Sequence, residues 1–174
     1  MMGSRMIEAV AWSAWCLAAL AAAEYLAHKY LMHRPRPLRG LFGRHAVQHH
    51  AGGRNEKPLI DLSPAWALAY TAPLWGLLAL DGAHVPAAVV ASHAAGYAVL
   101  WTGLHRAMHD VGGAWAARLP IYPALHRHHL GHHRHPGRNF GAVFGPALDL
   151  LFGTLAQGNS AVALSCVPLR CERS

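Results

Sequence analysis

Histidine supplies 15 of the 174 residues, and six of them crowd one stretch, ALHRHHLGHHRHPGRNFG (Ala124–Gly141): His126, His128, His129, His132, His133 and His135. Imidazole changes charge near neutral pH and is the commonest protein metal ligand. A pH sensor needs one or two such groups, so a concentration of this kind points to metal. Three more clusters precede it: His28 and His33 (HX4H), His45, His49 and His50 (HX3HH), and His105 and His109 (HX3H). The fourth is the HX2HH of His129, His132 and His133, which brings the set to ten.

Spacing carries geometry. At about 100° per helical residue, His105 and His109 lie close together on one face, as do His129, His132 and His133. The last cluster leaves its register open, because His126, His129 and His133 share one stripe and His128, His132 and His135 another. The HX4H pair fits a straight α-helix poorly. It requires the helix to end or distort, or its two ligands to reach different metals; Pro35 and Pro37 stop the helix just beyond. Ten neutral imidazoles exceed what one ion takes, and two ions with about five nitrogens each is the natural arithmetic. A structural zinc site would favour Cys, and Cys16, Cys166 and Cys171 are neither in zinc spacing nor enough for a disulfide framework.

The elements that must position these residues are apolar. Hydrophobic residues make up 53% of the chain and charged residues 13%, low for a water-soluble domain and suited to a membrane. Three spans are expected, near Ile7–Ala27, Pro64–Leu80 and Val85–Leu104, the last two joined by the tight turn DGAHVP; the second is short and carries Pro73. Apolar stretches near Phe140–Leu155 and Ala161–Leu169 are too brief to span. Seven Lys/Arg lie between the first two spans, seven follow the third, and the hairpin turn has none. The positive-inside rule makes that basic face cytoplasmic. Thirteen of the fifteen histidines fall on the same face, His84 and His93 being the exceptions. The net charge of +7 has no nucleic-acid-binding pattern beside it and suits an anionic membrane surface. Placement at the mouth of apolar helices faces lipid-like substrates with inert C–H bonds. Their oxidation needs redox chemistry, which iron has and zinc lacks.

These residues resemble the fatty acid hydroxylase / sterol desaturase superfamily of integral-membrane di-iron enzymes. EYLAHKYLMH (Glu24–His33) is similar to its first histidine box, HAVQHH to the second, LHRAMH to the third and HRHHLGHH to the fourth. NFGAVFGPALDLLFGT (Asn139–Thr154) resembles the segment that follows the last box. The second box is commonly HX2HH, so His45 departs from the pattern, and Leu148 stands where a tryptophan often precedes the terminal Asp.

The resemblance implies one all-α membrane domain over residues 1–174, with three to four transmembrane helices and a cytoplasmic histidine-rich helical cap. It implies two irons on His28, His33, His45, His49, His50, His105, His109, His129, His132 and His133, replaceable by zinc on purification. Glu24, Asp110, His126, His128, Asn139 and Asp149 are candidates for orienting those ligands. The implied activity is O2-dependent hydroxylation of a membrane lipid, a fatty acyl chain first; a β-carotene-type ring, desaturation, or a non-catalytic metal-binding or transport role are the alternatives. The chain has no room for a fused cytochrome b5 domain, so electrons are expected from a separate ferredoxin or cytochrome b5 type donor. The expected location is a bacterial inner membrane.

Overall fold

The computed structural model describes residues 2–36, 38–50 and 62–156; Cys166, Cys171 and the Ala161–Leu169 stretch lie outside them. Every regular element among the described residues is helical. Helix α1 (Met2–Leu26) passes directly into a π-helical turn, π1 (Ala27–Met32), and the short α2 (Arg39–Phe42) passes into π2 (Gly43–His49). Then come α3 (Pro64–Leu80), α4 (His84–Met108), a 3₁₀ turn (Ala116–Arg118), α5 (Tyr122–Arg134) and α6 (Pro146–Leu151).

Ala-rich runs make α1 and α4 long, and the one proline they contain, Pro86, sits in the first turn of α4, where it is tolerated. The helices Gly3–Met32 and His84–Met108 are long and apolar enough to cross a bilayer. The second expected span, Pro64–Leu80, forms one apolar helix at those bounds; its 17 residues reach about 26 Å at 1.5 Å per residue, short of a hydrocarbon core of about 30 Å and at the lower limit for a span. Large apolar side chains stand exposed on the outer faces, among them Ile7, Val10 and Leu17 of α1 and Tyr70, Leu77 and Leu80 of α3. Such a surface is costly in water and at home in lipid.

Helix α4 is the centre of the bundle and packs against both α1 and α3. Small side chains let α3 approach closely, with Ala67, Ala94 and Ala98 packed against Leu62. The α3–α4 hairpin turns at Gly82, whose φ of +81° suits glycine. Beyond α4 the chain folds back on the helix end. A Cβ on Gly103 would overlap the Trp115 ring, so glycine there lets that ring come up against α4. Leu104 and Met108 then form a buried cluster with Ala116 and Leu125 of the returning segment, which sets α5 beside the histidine-bearing end of α4.

Candidate metal centre

Two groups of imidazoles meet where these helix ends converge. One contains His28, His33, His45, His50 and His132; the other contains His49, His105, His109 and His129. Within each group the ligand nitrogens all lie within 4.8 Å of one another. His133 sits between the groups, its Nε2 3.1 Å from that of His129 and its ring stacked on His50 at 4.4 Å. The structure thus gathers nine of the ten sequence-derived histidines into two adjoining clusters and sets the tenth, His133, between them.

The irregular spacings are resolved by the π-helical turns. An i→i+5 ladder puts residues five apart on one stripe. His33 N–H donates to His28 C=O at 3.2 Å across π1, and His50 N–H caps π2 on His45 C=O. Each turn therefore delivers an i,i+5 pair, His28/His33 and His45/His50, to the same five-histidine group, while His49 turns to the other. His45, the residue that departs from the usual box, is central: its Nε2 lies 2.9 Å from that of His28, 3.1 Å from His33 and 3.2 Å from His50. On α5 His129, His132 and His133 share one face as expected, with ring centroids 4.7–6.2 Å apart, but that face serves both groups. The helix wedges between the groups, with His132 reaching one and His129 the other.

The outer ring nitrogens define the tautomers. His28 Nδ1 lies 2.5 Å from Phe140 O and His132 Nδ1 lies 2.7 Å from Arg138 O. A carbonyl only accepts, so each Nδ1 carries the proton and each Nε2 presents a lone pair inward. Burial and neighbouring imidazoles favour the neutral form of the histidines outside the two long helices that show a shift. Desolvation first, then adjacent histidines, lowers His33 and His50 to about 3 and pushes His45 and His132 far down; burial alone takes His49 to about 4. Burial likewise depresses His133 to about 3 and His129 well below its ordinary value.

Neutral imidazoles whose Nε2 atoms converge cannot satisfy one another by hydrogen bonds alone. His45 has three such neighbours and at most one Nε2 proton to give. A shared cation relieves the crowding, and the distances suit one. With a metal–nitrogen bond of about 2.1 Å, ligands at right angles stand about 3.0 Å apart and tetrahedral ones about 3.4 Å. Five Nε2 pairs in the five-histidine group lie 2.9–3.2 Å apart, including His33–His132 at 3.0 Å and His50–His132 at 3.1 Å. In the other group His109–His129 is 2.8 Å and His49–His105 is 3.4 Å. Five nitrogens at near-right-angle spacing fit a five- or six-coordinate ion better than a tetrahedral structural zinc.

The residues expected to orient ligands behave differently from one another. Asp149, completely buried, accepts from His128 Nε2 at 3.1 Å, from Phe140 and Gly141 N–H at 2.8 and 2.9 Å, and from Thr154 Oγ1 at 2.7 Å. Burial alone would raise its pKa; these donors outweigh it and hold the carboxyl below its ordinary value. His128 therefore faces Asp149 rather than either cluster. Asn139, at φ +56°, ties the loop together by donating to His128 C=O at 3.1 Å and accepting from Ala156 N–H at 2.8 Å. It neither caps a helix nor lines the site. Glu24 was expected to accept from His28 or His33; it accepts instead from Ala142, Val143 and the Tyr97 hydroxyl. His126 stacks on Tyr122 at 5.3 Å, and Asp110 is exposed in a left-handed conformation just past α4. The carbonyls of Arg138 and Phe140 and the Tyr97 hydroxyl were missed from sequence; only their nearness to the Asn139–Thr154 segment could have hinted at the first two.

The arrangement defines a membrane-associated protein with two adjoining histidine clusters. Residues 13–154 match the fatty acid hydroxylase family, to which the chain belongs. No curated protein and no solved structure matches it.

Proposed function

We propose that the protein hydroxylates an unactivated C–H bond of a membrane lipid, a fatty acyl chain, using O2 and a pair of irons. The observation that carries this reading is the convergence of inward-facing imidazole nitrogens in two adjoining groups. His28, His33, His45, His50 and His132 would hold one ion; His49, His105, His109, His129 and His133 the other. Bound iron supplies the redox chemistry that activates O2 and oxidises the C–H bond.

The chain's own residues bind, aim and shield. The Phe140 and Arg138 carbonyls keep Nδ1–H on His28 and His132 outward, so their Nε2 atoms are ready without a proton to lose. Burial of His105, His129, His132 and Asp149 keeps bulk water from the clusters. Because π1 continues α1 and His105 and His109 end α4, the ligands sit at one end of the two long apolar helices, where an acyl chain can arrive from lipid. The basic flanks favour a cytoplasmic site and a bacterial inner-membrane location. Exposed Arg34, Arg36, Arg39, Arg44 and Arg134 near the clusters suit an acidic electron donor of the ferredoxin or cytochrome b5 type.

Protein purified from iron-supplemented cells tests the reading. Two magnetically coupled irons per chain, and transfer of one ¹⁸O atom from ¹⁸O2 into an acyl lipid in the presence of a reduced donor, are the expected results. Zinc that persists against excess iron and cannot be exchanged, with no label in any lipid, would sink it.

A further inference from the structure

Four consecutive backbone N–H groups, Phe140 to Val143, are all taken by two buried carboxylates far apart in sequence. Asp149 accepts from Phe140 at 2.8 Å and Gly141 at 2.9 Å. Glu24, on α1 one turn before His28, accepts from Ala142 and, at 3.1 Å, from Val143. Its second oxygen accepts from the Tyr97 hydroxyl on α4 at 2.7 Å. A carboxylate buried in an apolar helix is costly unless its oxygens are filled, and these donors fill them. With its oxygens so engaged, Glu24 does not reach the histidines itself. The loop's carbonyl does: Phe140 O holds His28 Nδ1–H. The loop's backbone packs closely on itself: a Cβ on Gly141 would collide with the Gly145 carbonyl, and Gly145 has φ +60°, so both positions suit glycine.

We propose that Glu24 is a positioning residue for His28: it clamps Ala142 and Val143, which fixes the Phe140 carbonyl and so aims the His28 Nε2 lone pair into the five-histidine group. Glu24 thereby acts on one cluster and not on the other. This rests on the reading of the clusters as metal sites.

Titration of metal-free, detergent-purified protein with Co²⁺ against a chelator tests both layers separately. The wild-type chain takes up two ions; a chain that binds none overturns the metal reading and this inference with it. Glu24→Gln puts an amide N–H₂ against the loop's N–H groups. It is expected to weaken the five-histidine site on the order of 10–100-fold, the range for residues that orient a metal-bound histidine, while the four-histidine site keeps its affinity. That retained site is the proof of folding within the same molecules. His28→Ala weakens the same site, and adding Glu24→Gln to it costs nothing more, because Glu24 acts through His28. Unchanged affinities, equal weakening of both sites, or additive losses in the double variant would each overturn the proposal. If Glu24→Gln yields no folded protein, Tyr97→Phe, which removes one donor to Glu24, is read by the same criteria: selective weakening supports the clamp, and uniform or absent weakening rejects it.

Discussion

The two histidine clusters are built by different means. The four-histidine group rests mainly on regular helices: His105 and His109 close α4 at i,i+4, and His129 projects from α5, with only His49 drawn from a π-helical turn. The five-histidine group takes His28, His33, His45 and His50 from the two π-helical turns, and only His132 from an α-helix. A π-turn is a rare, poorly propagating geometry, and its use twice in one cluster is understandable only if residues five apart must share a face. The two groups also differ in support. The segment just after α5 lends its Arg138 and Phe140 carbonyls to two members of the five-histidine group. Unpartnered buried Nδ1 atoms occur in both groups among the described residues, on His45 and His50 in the five-histidine group and on His105 in the other, so the carbonyl support reaches only His28 and His132. One cluster is held by helix geometry, the other by distorted turns and an anchored loop.

The sharpest way to break this comparison is to remove one ligand from each side. His45→Ala takes out the nitrogen with three close neighbours. It is expected to leave one metal per chain, in the four-histidine group, and to abolish hydroxylation. His105→Ala is expected to do the reverse, sparing the five-histidine ion with equal loss of activity. His84→Ala, at the exposed far end of α4, changes neither. Metal analysis of the three purified proteins checks this, and loss of both metals in either ligand variant would mean that the clusters are one cooperative site.

Acid should act next most strongly, on the metal-free protein. His33, His50 and His133 sit at about 3 and His49 at about 4 when folded, each held down chiefly by burial. The unfolded chain titrates near 6.5. Between those values the unfolded state binds more protons, so stability is full above about 6.5 and is lost as pH falls, levelling only below 3–4. Denaturation of the metal-free protein from pH 7 to 4 reads this slope. Bound metal opposes it by holding the imidazoles neutral, so each added ion moves acid unfolding to lower pH. A flat profile would mean that the clusters are open to water.

Much of this was legible before any coordinates. The apolar helices, the Gly82 hairpin and the histidines that gather in the two groups stand out in composition and spacing. The second span was read at its observed bounds, Pro64 to Leu80, because Ser63-Pro64 and Asp81-Gly82 punctuate the apolar run at both ends. The first π-helical turn announced itself as an HX4H spacing that no straight α-helix satisfies, whereas the second did not, because His45 and His49 also fit an ordinary i,i+4 pair. What pattern reasoning could not reach was partnership across the chain. Glu24 stands next to histidines in sequence, yet it binds a loop more than a hundred residues away. The α5 register stayed ambiguous because both of its stripes carry histidine, and only packing between the clusters decides which side each residue faces.

That ambiguity gives the finest comparison, within α5 itself. His132 and His129 face the two clusters, whereas His128 faces Asp149 and His126 stacks on Tyr122. His128→Ala removes one donor from a buried carboxylate that retains Phe140, Gly141 and Thr154. The cost should be about 1–3 kcal/mol of stability, with both metals kept. His126→Ala, partly exposed, should stay within about 0.5 kcal/mol of the parent and keep both as well. Thermal unfolding and metal analysis of the two variants separate histidines that build the site from those that only neighbour it. If His128→Ala released a metal, Asp149 could no longer be read as a scaffold for the loop alone, and the carboxylate would have to be transmitting its charge through His128 to the clusters.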